Sequence, residues 1–245
     1  MNETFPSGQV ALLSLFQFRG KNRFWAMRQM AVLPPKLKKY TGLQFFKVLG
    51  TGAGLGYSSL PDFSQWGLLT VWPSVEEALD FYGNADLMDQ YRLKSYEDFS
   101  VLMRPIRSKG QWSGLSAFEP QPLLNEAYPI AVLTRAQLKL RFIIPFWQRV
   151  GGVSRSQKDY QGQLFSQGVG ERPWIHQATF SIWEGLEAME KFAYGKNSKH
   201  LEAIKVTRQR KGFKEELYAR FQVIGYRGTV KGRNPLEKAK TPSLL

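Results

Sequence analysis

The 245-residue chain has no cysteine and only two histidines, His176 and His200. The first absence excludes disulfides, thiolate-ligated haem, iron–sulfur clusters, cysteine nucleophiles and Cys-type zinc sites. The second concentrates any imidazole-dependent metal or acid–base chemistry on two positions. Di-iron sites built on histidine clusters are excluded by the count alone. Acidic residues are also scarce: 34 Lys and Arg stand against 20 Asp and Glu, a formal net charge of +14. A surface of that sign attracts polyanions, and an anionic membrane fits better than nucleic acid, since no helix-turn-helix, zinc-finger or RNA-binding sheet motif is present. No apolar run approaches the roughly 18 residues of a membrane-spanning helix. The N-terminus lacks a basic leader, so no signal peptide is expected and the address is cytoplasmic, with peripheral contact at the inner membrane.

What is present is the material of a core. Hydrophobic residues make up 43% and aromatics 14% of the chain, as in packed globular proteins. Val10 to Phe18 reads as a buried strand. Phe24 to Leu33 has helical spacing and is expected to stop at Pro34-Pro35. Gly42 to Leu49 reads as a strand and Gly50 to Gly56 as a glycine-rich loop over a pocket. These glycines do not fit the G-x-G-x-x-G of a dinucleotide site, and no helix start follows them. Gln65 to Trp72 is a strand, Ser74 with Glu77 forms a capping box, and Phe99 to Met103 closes the half as a strand. The order then repeats: strands at Tyr128–Thr134, Gln163–Val169 and Ile175–Trp183, a helix from Leu186, another from Asn197 or Ser198 to about Arg210, and a strand ending at Ile224. Pro145-Phe-Trp-Gln-Arg149 echoes Phe24-Trp25-Ala-Met-Arg28.

The expected fold is therefore α+β: two tandem ferredoxin-like (β-α-β-β-α-β) half-domains packed sheet to sheet as a dimeric α/β barrel. The halves are 8–117 and 128–227, joined by a proline-containing linker over 118–127 and followed by a basic, disordered tail over 228–245. Both histidines fall in the second half. Period two puts His176 on the apolar side of its strand with Ala178, Phe180 and Ile182, pointing inward. His200 lies early in a helix, at the margin of an apolar stripe with Ile204 and Thr207. Each is read either as a core histidine or as a ligand: haem, with one proximal and one distal imidazole, or mononuclear iron with a carboxylate. No H-x-D or H-x-E pattern favours the latter, and no G-x-S-x-G elbow favours a hydrolase.

At Phe24-Trp-Ala-Met-Arg-Gln-Met30, Leu49-Gly-Thr-Gly-Ala-Gly-Leu-Gly-Tyr57, Ile175-His-Gln-Ala-Thr-Phe-Ser-Ile-Trp183 and Phe213-Lys-Glu-Glu-Leu-Tyr-Ala-Arg-Phe221 the chain resembles the spheroidene monooxygenase family of carotenoid biosynthesis, over about Val10 to Gly225. The resemblance implies an enzyme containing haem b that uses O2 to oxygenate an allylic carbon of an acyclic carotenoid, giving hydroxy and then keto products. Electrons would come from a reduced ferredoxin-like donor. Family membership does not itself name the histidine that binds iron; His200 is the expected ligand because related barrel haem proteins generally take theirs from a helix of the second half-domain, with His176 as the alternative or as a distal-pocket residue, Arg28 near iron-bound oxygen, and Phe24, Trp25 and Trp147 along a polyene channel. Each of these aromatics also reads as core, and Arg28 as a surface ion-pair residue. The competing function is a non-enzymatic ligand-binding or stress-related barrel without haem.

Overall fold

The structure, a computed structural model, describes residues 7–53, 60–145, 161–172, 174–194, 212–237 and 239. In chain order the described elements are β1 (Val10–Gln17), α1 (Asn22–Leu37), β2 (Phe45–Gly52), β3 (Pro61–Trp72), α2 (Val75–Asn84), α3 (Asp86–Lys94), β4 (Glu97–Gly110), β5 (Ile130–Leu138), β6 (Gln163–Gly170), β7 (His176–Trp183), α4 (Leu186–Tyr194) and β8 (Phe213–Gly228). The strands close into an antiparallel barrel in the order β1-β3-β2-β6-β7-β5-β8-β4. Strands β1 to β4 occupy one half of the ring and β5 to β8 the other, with β2–β6 and β4–β8 as the two seams.

Alternation along each strand sorts the side chains. Ala11, Leu13 and Leu15 of β1, Val101 and Met103 of β4, Phe180 and Ile182 of β7 and Ala219 and Phe221 of β8 face inward and form one buried cluster. The barrel interior is a packed core, not a channel. On the outside of the first half, Val10, Leu12, Leu68 and Trp72 pack against Leu33, Phe81 and Met88 of the three helices. The outside of the second half shows a smaller apolar cluster among the described residues, centred on Ile130, Val132, Trp183 and Met189.

Three expectations are corrected. Helix α1 runs through Pro34 and Pro35 to Leu37 instead of stopping before them. The prolines forgo two helical hydrogen bonds, but the last turn still closes through Lys38 N–H to Pro34 O at 3.3 Å, and Leu33 and Leu37, one turn apart, are both buried. Burying a leucine contributes about 1.5–3 kcal/mol, which offsets much of the proline cost. Gly50 and Gly52 belong to β2 and not to a loop; residues 54–59 lie outside the described set. The third correction concerns the tail. Residues 229–237 are ordered: Val230 bridges Arg233, and Leu236 is buried in the barrel interior.

That last segment has a counterpart. Strands β4 and β8 end in Gly110 and Gly228, with φ of +96° and +88°. Each is followed by a turn with left-handed residues, Ser113 and Gly114 in one case and Lys231 and Gly232 in the other. Each turn donates two backbone N–H groups to a single carboxylate at the start of the opposite strand. Ser113 and Gly114 donate to Glu215 at 3.0 and 2.7 Å, and Lys231 and Gly232 donate to Glu97 at 3.0 and 2.6 Å. Each then returns an apolar residue to the core, Phe118 or Leu236. The segment 118–127 thus begins inside the fold, with Phe118 edge-on to Phe221 at 4.8 Å. The capping serine, Ser74, accepts from Glu77 N–H at 3.2 Å as expected.

Candidate active site

Among the described residues, β2 and β6 pair only at Gly50–Gly170 and Thr51–Val169. A cleft of about 330 Å³ opens where they part. Its apolar walls include Met27 and Met30 of α1, Leu60, Phe63 and Trp66 on the β3 side, and Trp174 ahead of β7; Glu171, Arg172 and His176 supply its polar side. Gly170 permits the close approach of the end of β6 to the start of β7: a Cβ there would lie 2.3 Å from the His176 carbonyl oxygen. Leu60, Phe63 and Trp174 are 68%, 56% and 49% exposed at the mouth. Trp174 has φ +64°, a left-handed conformation uncommon for so large a side chain. Backbone held there costs about 1–3 kcal/mol and concentrates at functional sites.

Behind the polar wall lies a partly buried charge cluster at one end of the barrel. Alternation on β5 carries Ala131, Leu133 and Arg135 inward, and Arg135 is 2% exposed at its side chain. Its guanidinium pairs with Glu215 and lies 3.8 Å from Glu171, with Trp112 beneath it at 5.6 Å. Glu171 accepts from Lys47 Nζ at 2.8 Å and from Trp112 Nε1 at 2.7 Å. Burial pushes the Glu171 carboxyl up, but those two hydrogen bonds and the charges of Lys47 and Arg135 outweigh it and hold it below the usual range. Glu215 is likewise held low: burial is opposed by the Gly114 and Ser113 N–H groups and by Arg135.

His176 Nδ1 lies 3.4 Å from Glu171 Oε2, is enclosed, and has no aligned hydrogen-bond partner. Burial lowers its pKa; Glu171 pulls the other way, and Arg135 and Arg172 push it further down. The imidazole is therefore neutral at pH 7. This sets a pH dependence in the haem-free protein. Because the folded pKa of His176 lies below its unfolded value of about 6.5, the unfolded state takes up the proton first, and stability falls as the pH drops below that value. Glu171 and Glu215, with depressed folded pKa values, add a second loss as the pH falls through about 4.5 toward their folded values. Urea midpoints between pH 8 and 3 should show both phases, and His176→Gln should lose the first. Parallel wild-type and variant curves from pH 7 to 5 would contradict this placement of the imidazole.

Of the residues expected from the sequence, His176 is at the cleft. Phe24 is 72% exposed and Arg28 is exposed on α1, and neither lines the cleft. Trp25 packs against Phe18 and Tyr91, with ring centroids 5.9 and 5.0 Å away, the arrangement of a core aromatic. The same helix supplies Met27 and Met30 to the cleft instead. His200 and Trp147 lie outside the described residues. Sequence reasoning missed Arg135, Glu171, Lys47 and Trp174. Period two along Ala131-Val-Leu-Thr-Arg135 was a usable signal for the first, because it sets an arginine on the inward face.

Among the described residues, no three His, Asp or Glu side chains converge as a metal site. Haem, the group implied by the resemblance, makes a smaller demand, since its iron needs one axial imidazole from the protein. His176 offers a neutral imidazole on the polar side of an otherwise apolar cleft, with Nδ1 turned toward Glu171 at 3.4 Å, and is compatible in donor chemistry. No helix of the described residues is long and apolar enough to cross a membrane.

No protein-family profile matches the chain. Three curated proteins do. The spheroidene monooxygenase of Cereibacter sphaeroides is 36% identical over 234 residues, 95% of this chain and 72% of that one. That of Rhodobacter capsulatus is 33% identical, covering 93% and 95%, and that of Rubrivivax gelatinosus 32%, covering 94% and 88%. The chain belongs to the spheroidene monooxygenase family. Among solved structures, an aldoxime dehydratase aligns with TM-score 0.57 at 14% identity, covering 91% of this chain and 87% of that one. An aldoxime dehydratase in complex with butyraldoxime aligns with TM-score 0.56 at 13% identity, covering 90% and 83%. At that identity the likeness is one of fold. The segments Leu49–Tyr57 and Ile175–Trp183, two of those that carry the sequence resemblance, meet in space: described residues from both line the cleft.

Proposed function

We propose that the protein is a haem-dependent monooxygenase that oxygenates an allylic carbon of an acyclic carotenoid, giving hydroxy and keto products. The observation that carries this reading is the cleft, an apolar slot beside a neutral imidazole, lined by two of the segments on which the resemblance to the spheroidene monooxygenase family rests. The fold goes with it: two ferredoxin-like halves, 8–117 and 128–227, each contributing four strands to one ring in the manner of a dimeric α/β barrel.

In this reading Met27, Met30, Phe63, Trp66 and Trp174 hold the polyene by apolar contact and exclude water, and the thioether side chains adapt to its length. Haem b, held by His200 or by His176, supplies the activation of O2. Glu171 restrains the His176 ring, while Lys47 and Trp112 fix the Glu171 carboxylate. Arg28, exposed on α1, remains a candidate for the oxygen side of the site. A reduced ferredoxin-like protein delivers the electrons, and the basic exterior holds the enzyme against an anionic membrane from which the substrate is drawn.

Expression in a strain that accumulates acyclic carotenoids should convert the pigments to oxygenated products. The purified protein should show a Soret band that shifts on reduction with carbon monoxide. His200→Ala should abolish the band and His176→Ala should keep it while impairing turnover; the reverse pattern would make His176 the ligand. Unchanged pigment together with haem-free protein would support a non-enzymatic barrel instead.

A further inference from the structure

Helix α1 is apolar on two sides. Ala26, Gln29, Leu33 and Leu37 form the buried stripe that seats it on the sheet. Phe24, Met27 and Ala31, spaced three and four residues apart, form a second stripe on the outer side, and all three are exposed. This second stripe runs into the cleft: Met27 lines it together with Leu60, Phe63 and Trp174, each of them exposed at the mouth. One continuous apolar patch therefore joins the outer face of α1 to the opening of the cleft. Patches of this kind mark contact with another apolar surface.

The charge around the patch says what that surface is. Residues 4–61 contain no Asp or Glu, and Lys21, Arg28, Lys36, Lys38 and Lys39, on α1 and its flanks, are all exposed. The other two helices of the same layer carry the opposite sign: Glu76, Glu77 and Asp80 on α2 and Asp86 and Asp89 on α3 are exposed, against Arg92 and Lys94. Charge is thus sorted within one layer of helices. Bulky apolar side chains bordered by cations match the boundary between headgroups and acyl chains of an anionic bilayer, where the cations meet lipid phosphates and the apolar groups leave water. A second copy of the chain would set this face of α1 against an equally basic one. An acidic protein would answer the cations and leave the apolar rim of the cleft unexplained.

We infer that the outer face of α1 and the cleft mouth dock on an anionic bilayer, with Phe24, Met27, Leu60, Phe63 and Trp174 entering the boundary region and α2 and α3 turned away. The inference rests on the reading of the cleft as the seat of a polyene, and it narrows a general attraction of the basic exterior to one face and one orientation. A polyene dissolved in the bilayer then passes into the cleft without crossing water. The left-handed backbone at Trp174 gains a use, since it holds at the mouth an indole, a side chain favoured at membrane–water interfaces.

The test is co-sedimentation of the full chain with vesicles of phosphatidylcholine alone or of equal parts phosphatidylcholine and phosphatidylglycerol. Wild type should bind the anionic vesicles at least tenfold more tightly, a preference that shrinks as salt is raised. Each cation near an anionic surface contributes about fivefold in affinity, so Arg28→Glu with Lys36→Glu should weaken binding at least tenfold. Arg107→Glu with Lys109→Glu makes the same charge change at exposed positions near the opposite end of β4 from α1, and should cost no more than twofold. Phe24→Ser with Phe63→Ser should weaken binding at least tenfold while the unfolding temperature stays that of wild type. Phosphatidylglycerol brominated on its acyl chains should quench tryptophan fluorescence, and Trp174→Phe should lose at least half of that quenching. Equal losses from the two charge reversals overturn the assignment to α1. Wild-type affinity in the Phe24 and Phe63 variant, with no quenching lost in Trp174→Phe, overturns insertion of the mouth. Self-association that the α1 reversal abolishes, without vesicle binding, makes a second copy the occupant and overturns the bilayer. A protein that converts pigment in the carotenoid-accumulating strain yet binds no vesicle overturns this inference and leaves the substrate reading intact. One that binds as expected but converts no pigment overturns the substrate reading, and with it the use assigned to the contact.

Discussion

Arg135→Ala should lower the unfolding free energy by about 3–5 kcal/mol, the range for removing one partner of a buried ion pair. The side chain is 2% exposed and stands between Glu215 and Glu171. Its loss leaves two carboxylates facing each other at the end of a packed barrel and opens a cavity among Trp112 and Leu217, which share the interior cluster. Glu171 retains Lys47 and Trp112, and Glu215 retains the Ser113 and Gly114 N–H groups, so neither is wholly stranded. These remaining bonds favour the lower end of the range. Arg135→Met combined with Glu215→Gln should recover most of the loss, because it removes charge and counter-charge together and keeps the volume. Urea unfolding of the three proteins at pH 7 measures this. A loss below about 1 kcal/mol for Arg135→Ala, the worth of a solvent-exposed pair, would show that the cluster is hydrated and not part of the core.

Gly228→Ala should be nearly as damaging, for a reason of backbone and not of charge. Its φ of +88° is costly for any residue with a Cβ, and the added atom would lie 2.1 Å from the Asp98 carbonyl oxygen. Strain of about 1–3 kcal/mol is joined by an overpacking term of similar size, since the strand pairing must spread to admit the methyl group. Gly110→Ala meets the Glu216 carbonyl at the same 2.1 Å and should behave alike. Gly232, at φ +72° with nothing within 4 Å of a built Cβ, separates the two contributions. Gly232→Ala should show the strain alone. Thermal or urea melts in which all three variants lose the same amount would mean that the close carbonyl contacts are not felt.

Most strands were readable because a short apolar run bounded by turn residues is a local signal. Val10 to Phe16 on β1 is apolar on both faces and buried on both, and Ala178, Phe180 and Ile182 on β7 mark one buried side without any knowledge of their neighbours. Pro34 and Pro35 misled because the burial of Leu37, which carries the helix past them, comes from tertiary packing. The tail misled for a related reason: its Lys, Gly and Pro content looks like that of a disordered segment, and the Glu97 carboxylate that orders it is distant in sequence.

The candidate site was legible only where a rare residue marked it. Histidine is rare here, so His176 was found. Arginine and glutamate are common, so Arg135 and Glu171 were not, although both act on the imidazole: burial of His176 keeps it neutral, Arg135 reinforces that and Glu171 opposes it. Trp25 and Met27 lie on one helix, and only the three-dimensional arrangement decides that the first joins the core and the second the cleft.

A closed ring of strands can change its circumference only by breaking a complete ladder, and the ladders here are far from equal. The β4–β8 seam is zipped from Phe99–Gly228 to Gly110–Leu217, with carboxylate-bound turns at both ends, whereas β2–β6 is held among the described residues by the two rungs at Gly50 and Thr51. The barrel is in mechanical terms a split ring: a long, stiff spine on one side and a short clasp on the other. The work of widening it falls on the clasp, and the clasp is the edge along which the cleft lies.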